Sequence, residues 1–281
     1  MKAAFQAFIY GAVFISLCTV ALCMETCLQL GLPFNSFSFY LTVFSATLGQ
    51  YNIHYYIKRS ANPSSDRFFW SLNHRNVHLV FNIIGAVGLL VGLLGLQPKN
   101  YMVLGIVAAV TILYSFPFLP FKHMKRLKDF GLIKILTLAY VWALITVWFP
   151  AVTLTEVTVD FKWVFAQRFI FIFILCLAFD IRDIHSDQNE NIHTVPVSIG
   201  EKRSYQLVNL LLVIFLIVSV FVFRETHHFM QFNAMIISAL ATYFVIDFSK
   251  RMPTDLYYLA AVDGMMLLQP ILVMTGSMNL F

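Results

Sequence analysis

The sequence predicts an all-α fold, a polytopic membrane helix bundle of about nine transmembrane helices. Three observations carry this expectation. Hydrophobic residues make up 59% of the chain and charged residues only 12%, whereas soluble domains run at roughly 45–50% apolar and about 25% charged. Nine apolar runs follow one another, most near the ~20 residues needed to cross a ~30 Å hydrocarbon core. Lys and Arg alternate by side, with fifteen of nineteen on the N-terminus and the even-numbered loops.

The runs cover residues 4–24, 36–57, 78–96, 101–118, 132–150, 163–179, 205–223, 229–248 and 257–275. The first follows Lys2 in the manner of a signal peptide, but it is longer than a signal core and no small-residue cleavage pattern follows it. It reads as a retained helix. One side collects Lys2, then Lys58, Arg59, Arg67 and Arg75, then the basic stretch from Lys122 to Lys134. The sixth and eighth loops add Arg182, Lys202, Arg203, Lys250 and Arg251 to that side. The other side holds only Lys99, Lys162, Arg168 and Arg224. The positive-inside rule then puts the N-terminus in the cytoplasm. The expectation is a single transmembrane domain over residues 1–281, an integral multi-pass protein of a bacterial inner membrane with its site facing the cytoplasm. The net charge of +5 lies in these loops and implies topology, not nucleic acid. Cys18, Cys23, Cys27 and Cys176 form no C-x-x-C pair and lie in or beside apolar runs, so they read as small hydrophobes.

Polar residues concentrate in the two longest inner loops, 58–77 and 180–204. The sixth run ends in Asp180-Ile181-Arg182-Asp183-Ile184-His185-Ser186-Asp187. On a continuing helix Asp183 lies about 60° from Asp180 in projection, and Asp187 about 20°, so the three carboxylates share a face. Acids at a helix C-terminus meet its partial negative charge and repel one another. A hard divalent cation relieves both, and oxygen-only ligands suit magnesium, which typically binds one or two carboxylates plus substrate phosphates. The bland alternative is a solvated acidic cap on a helix leaving the membrane.

The chain continues to Thr194-Val195-Pro196-Val197-Ser198-Ile199-Gly200. Together with the acid spacing, this resembles the second aspartate-rich motif of the UbiA superfamily of intramembrane prenyltransferases. The stretch Tyr114-Ser115-Phe116-Pro117 through Lys122, Lys125 and Arg126 resembles that family's basic segment after its fourth helix. The resemblance implies a UbiA-like bundle that binds a polyprenyl diphosphate through Mg2+ and passes its allylic cation to an acceptor. It implies Asp180, Asp183 and Asp187 as magnesium ligands, with Lys122, Arg126 and Arg182 neutralising the diphosphate.

The first motif departs from the family's N-x-x-x-D-x-x-x-D. Asn52 matches and would orient the head group, but Tyr56 and Ser60 occupy the aspartate positions. Three outcomes stay open: one metal with Lys58 and Arg59 supplying the missing positive charge, a site rebuilt by His54 or Asp66, or a chain that keeps the fold without the reaction. Tyr51, Tyr55 and Tyr56 read as an interfacial aromatic belt, with cation–π contact to an allylic cation as the alternative.

Asp263 lies six residues inside the ninth run. A carboxylate there costs about 2.5–3.5 kcal/mol on insertion scales, so it faces the protein interior or a wet cavity. It reads either as part of the diphosphate-binding floor or as a helix–helix hydrogen bond to Asn82 or Asn209. Asp247, at the inner end of the eighth run, reads as interfacial.

The functional expectation is Mg2+-dependent transfer of a prenyl group to a lipid-soluble, aromatic acceptor within the membrane. The alternative is a non-catalytic UbiA-fold protein that binds or carries a polyprenyl lipid. A transporter is disfavoured, because transporters place their sites near the midplane between repeats and here the polar groups crowd one face.

Overall fold

The computed structural model describes residues 2–57, 65–115, 131–152, 158–189 and 192–278. Each of the nine apolar runs falls largely on helix, residues 116–118 of the fourth lying outside the described residues. The first is broken: α1 (Lys2–Tyr10) and α2 (Val13–Gln29) meet at 52°, across Ala12 in the left-handed region at φ 63. Next come α3 (Phe37–Ile57), the short α4 (Asp66–Asn73) and α5 (Arg75–Leu94). The Ser65 hydroxyl starts α4 by accepting from the Phe68 N–H at 3.3 Å. Then α6 (Pro98–Ser115) is followed by α7 (Gly131–Ala143), which runs on through a π-helical turn, Leu144–Trp148. The long α8 (Val159–Arg182) leads to two short helices, α9 (Ile184–Asn189) and α10 (Val195–Ile199). The bundle closes with α11 (Glu201–Thr226), α12 (Phe229–Ser249), α13 (Asp255–Tyr257), a second π-helical turn (Tyr258–Val262) and α14 (Met265–Met278).

Among the described residues, six helical segments are long and apolar enough to cross a membrane, or seven when the bent α1–α2 pair counts as one. The expected span 36–57 and the described part of 101–118 fall on α3 and α6. The apolar part of α6 is short, and α3 buries Thr42, Ser45 and Asn52 among its apolar residues. Thr42 and Asn52 bond to carbonyls of their own helix, and the polar content lowers the mean hydropathy of α3, so the nine expected spans are not all borne out.

Helix α8 is the axle of the bundle. Of its span 67% is buried, against 17% for α5. Phe171, Ile174 and Leu177 of α8 are fully enclosed, in one core with Leu22, Ala139, Phe215 and Val262. By contrast α5 touches the bundle along a stripe of glycines against α3. A Cβ at Gly88, Gly92 or Gly95 would collide with the side-chain hydroxyl of Ser45, Thr42 or Ser38. Such small-residue stripes let helix backbones approach closely where lipid supplies no hydrophobic drive. The rest of α5 presents Val80, Ile83, Val87 and Leu90 outward.

The break between α1 and α2 frees carbonyls that water cannot reach, and two inward side chains answer them. Asn52 Nδ2 donates to Gly11 O at 2.8 Å, and Arg67 donates through its terminal guanidinium nitrogen to Tyr10 O at 3.1 Å. Asn52 also donates to Leu48 O at 2.8 Å and accepts from His78 Nδ1 at 2.6 Å.

Two stability outcomes follow. Gly88→Leu overpacks the α3–α5 seam and should cost about 1–3 kcal/mol, read as a lower Tm in detergent. Asn52→Leu strands the Gly11 carbonyl and the His78 ring and should cost a similar ~1–3 kcal/mol. A wild-type Tm in both variants would show that neither contact holds the bundle together.

Candidate active site

A cavity of about 250 Å³ opens between α3, α4, α7, the end of α8 and the start of the last span. Its wall has two characters. At one end are Arg67, Lys134, Asp180, Arg182, Asp183 and Asp255. Away from them the lining is apolar apart from Asp263, with Ile135, Leu138, Trp142, Leu175 and Met266.

The charged end is built by helix termini. Lys134 lies in the first turn of α7, where the helix dipole disfavours a cation, and Asp180 lies in the last turn of α8, where it disfavours an anion. Each is misplaced on its own helix, and together they neutralise, Lys134 Nζ to Asp180 Oδ1 at 2.8 Å. The other oxygen, Asp180 Oδ2, is buried without a hydrogen-bond partner. Two residues on, Arg182 grips Asp183 with two hydrogen bonds, 2.7 and 3.0 Å. It reaches Asp255 Oδ1 at 3.1 Å, and its guanidinium lies 5.0 Å from the ring centres of Phe179 and Tyr258. The second Asp255 oxygen accepts the backbone N–H of Arg67 at 2.7 Å. The Arg67 guanidinium sits 4.3 Å from the centre of the Tyr55 ring.

The structure brings Asp180, Asp183, Arg182 and Asp263 to this cavity. Asp187 is not part of the cavity lining, although it stands close enough for its charge to act on Asp180 and Lys134. The shared face required a continuing helix, but α8 ends at Arg182 and Asp183 takes up φ -88 and ψ 7, so Asp187 lies buried on α9, off the cavity lining. Among the described residues no three His, Cys, Asp or Glu side chains are placed to hold a metal together. Asn52 also stands off the lining, in the bonds it makes with α1 and α5. Lys58, Arg59, Lys122 and Arg126 lie outside the described residues.

The tyrosines divide. Tyr51 and Tyr55 line the cavity, a correction to the interfacial-belt expectation, because Arg67 draws their faces inward. Tyr56 turns away and lies 5.0 Å beneath the Arg75 guanidinium. His54 is exposed, and neither it nor Asp66 belongs to the wall. Asp247 pairs with Lys250 at 2.5 Å at the exposed end of α12, as its interfacial reading expects. Asp263 bonds to neither Asn82 nor Asn209; it lines the cavity.

Sequence reading missed three members of the wall. Lys134 and Arg67 passed as topology charges, and Asp255 drew no notice. The available signal was position: Lys134 is the fourth residue of an apolar helix and Asp255 opens another, where a plain loop charge has no reason to sit.

Solved structures share the fold. A UbiA homolog from Archaeoglobus fulgidus bound to GPP and Mg2+ superposes with a TM-score of 0.64 at 14% identity, over 97% of this chain and 99% of that one. The DMAPP- and Mg2+-bound structure of a UbiA homolog from the same organism gives 0.60 at 13% identity, over 96% and 99%. A structure from work on digeranylgeranylglyceryl phosphate synthase in membranes gives 0.59 at 16% identity, over 99% and 100%. No curated protein sequence matches the chain. The sequence profile of the UbiA prenyltransferase family matches residues 71–255, more than half of the chain. The protein therefore belongs to the UbiA prenyltransferase family.

Proposed function

We propose that the protein transfers a prenyl group from a polyprenyl diphosphate to a lipid-soluble acceptor in the membrane, with Mg2+ as cofactor. One observation carries the reading. On the described wall three cations, Arg67, Lys134 and Arg182, face four carboxylates, Asp180, Asp183, Asp255 and Asp263. Such a wall holds an anionic diphosphate only if positive charge arrives with it. The unpartnered Asp180 Oδ2 and the half-exposed Asp183 fit a magnesium ion bound by one or two carboxylates and completed by phosphate oxygens. They do not fit a cage of three aspartates. Bound there, Mg2+ would stabilise the leaving diphosphate as its charge develops.

The protein's own groups do the rest. Lys134 exchanges part of its bond to Asp180 for a phosphate oxygen, and Arg182 is held by Asp183 and Asp255 with its fork toward the same end. Tyr51 and Tyr55 offer ring faces to the allylic cation. The apolar wall from Ile135 to Met266 receives the isoprenyl chain and excludes water, which strengthens every charge interaction inside. Lys58, Arg59, Lys122 and Arg126 supply further positive charge, Asp187 supports the acidic end from α9, and Asn52 is a positioning residue that fixes α3 against α1. The acidic end faces the cytoplasm of a bacterial inner membrane, on the side rich in Lys and Arg.

A second reading has its own observation. Asp180 and Asp183 are already paired with Lys134 and Arg182, and Tyr56 stands where the family's first motif has aspartate. A lipid carrier of this fold would look the same at rest.

Pyrophosphate release separates the two readings. The enzyme should release it from GPP only with Mg2+ and an acceptor, and Asp180→Asn or Lys134→Ala should lower turnover by ~10²–10³, about 2.7–4 kcal/mol of lost electrostatic stabilisation. GPP binding with no release for any acceptor makes the protein a carrier. Equal GPP affinity in EDTA removes the metal from the proposal. For orientation, a cysteine replacing Lys99 should react with an impermeant maleimide from outside, and one replacing Asp66 only after permeabilisation. The reverse pattern would turn the site to the other face.

A further inference from the structure

Among the described residues Asp263 is the one carboxylate of the cavity wall with no ion pair and no hydrogen-bond donor; Arg67 and Arg182 act on it only from beyond ion-pair distance. It is 7% exposed. Its main chain is fully engaged: its N–H donates to Tyr258 O at 2.9 Å, closing the π-helical turn, and its carbonyl accepts from Cys18 Sγ at 3.8 Å. Among the described residues no hydrogen bond or ion pair reaches the side chain. The other three acids of the wall all have partners, Lys134 for Asp180, Arg182 for Asp183, and Arg182 with the Arg67 N–H for Asp255. Asp255 and Asp263 stand eight residues apart, roughly 12 Å along a helix, so the same span delivers one acid to the charged end and the other deeper, toward Met266 and Leu259.

A carboxylate left this way in a membrane bundle is costly unless a donor meets it. On the prenyltransferase reading, which this inference rests on, the two substrates differ in what they offer. An ionised diphosphate has acceptor oxygens only and repels Asp263. The acceptor substrate is the molecule that can bring a hydrogen.

We propose that Asp263 binds the hydroxyl of the acceptor substrate and takes its proton as the new bond forms. The acceptor is then a hydroxyl-bearing, otherwise apolar molecule that enters beside Met266 and Leu259. In the step, the allylic C–O bond of the donor breaks and its electron pair stays on the diphosphate oxygen. The hydroxyl's electrons form the new bond to the allylic carbon, from oxygen or, in a phenol, from the ring carbon conjugated to it. The hydroxyl proton passes to Asp263.

The test uses the full chain in lipid nanodiscs, with 1-naphthol as hydroxyl probe and 1-methoxynaphthalene as its donor-free twin. Calorimetry is run with and without GPP and Mg2+. The wild type should bind the naphthol roughly tenfold tighter than the ether, the difference of one hydrogen bond to a charged group. Asp263→Leu should lose that preference while GPP affinity stays within about threefold. Asp263→Asn, nearly isosteric, keeps an accepting oxygen but cannot take a proton. It should retain much of the preference yet lose ~10²-fold in transfer from GPP to naphthol. Equal binding of naphthol and ether by the wild type overturns the proposal. So does an Asp263→Leu variant that loses Mg2+-dependent GPP binding but still prefers naphthol, since Asp263 would then belong to the diphosphate end. Unimpaired transfer by Asp263→Asn overturns the proton step. A wild type that prefers naphthol but does not bind GPP supports the hydroxyl site and removes the prenyltransferase reading instead.

Discussion

Asp255 ties the site together. One of its oxygens meets Arg182 at 3.1 Å and the other takes the N–H of Arg67 at 2.7 Å. Those bonds join the last span to the end of α8 and to the start of α4, where an anion is also favoured by the helix dipole. The consequences run outward in two directions. Through Arg182 the pairing orients Asp183 at the break after α8. Through Arg67 it reaches the Tyr10 carbonyl, freed by the break between α1 and α2. A buried pair of this kind returns little net stability by itself, because desolvation offsets attraction, but removing one partner leaves a charge stranded in an apolar bundle. Its importance here is geometric: it decides which way Arg182 points and holds the first turn of α4 in place through the Arg67 N–H.

The fold was legible because the physics behind it is one-dimensional. Crossing a hydrocarbon core needs a run of apolar residues, and such runs show in any reading of the chain. The site was legible in part, and the boundary is instructive. Asp180, Asp183 and Asp263 announce themselves as acids beside or inside apolar runs, and all three reach the cavity. The place of Asp187 was not legible because it depends on whether one helix continues past Arg182, and α8 ends there. Lys134 and Arg67 were invisible as site residues because the same charge serves membrane topology equally well, and only the fold shows which acid or carbonyl it meets. Tyr55 and Tyr56 are neighbours in sequence with opposite fates, drawn to Arg67 and Arg75 respectively.

A second polar centre shows what α8 tolerates. Arg168, twelve residues before Asp180 and about 18 Å away along the helix, pairs with Glu25 at 3.0 Å, both side chains fully buried. It also donates to Gln269 at 3.3 Å. Beside it Gln29, Gln167 and Ser219 form a chain of hydrogen bonds of 3.0 and 2.7 Å. These groups join α2, α8, α11 and α14 where packing of apolar side chains alone would leave helix register loosely fixed. Polar bonds across membrane helices are modest in energy, about 0.6 kcal/mol on average and up to ~2, but they have direction, and direction fixes register.

The same logic explains where function can sit in such a bundle. A helix like α5, 17% buried, faces lipid over most of its surface and has room for glycine on one side and aliphatic residues on the other. Any charge on that outer face would meet hydrocarbon with no partner. Helix α8, 67% buried, meets protein over most of its surface, so Glu25, Lys134 and Asp255 can come from its neighbours to meet Arg168, Asp180 and Arg182 in turn. The buried ion pairs gather on the helix that is most enclosed by protein. The cavity opens at its end because that is where α8 stops being able to satisfy its own carbonyls and acids, and where charged groups can gather without crossing the apolar core.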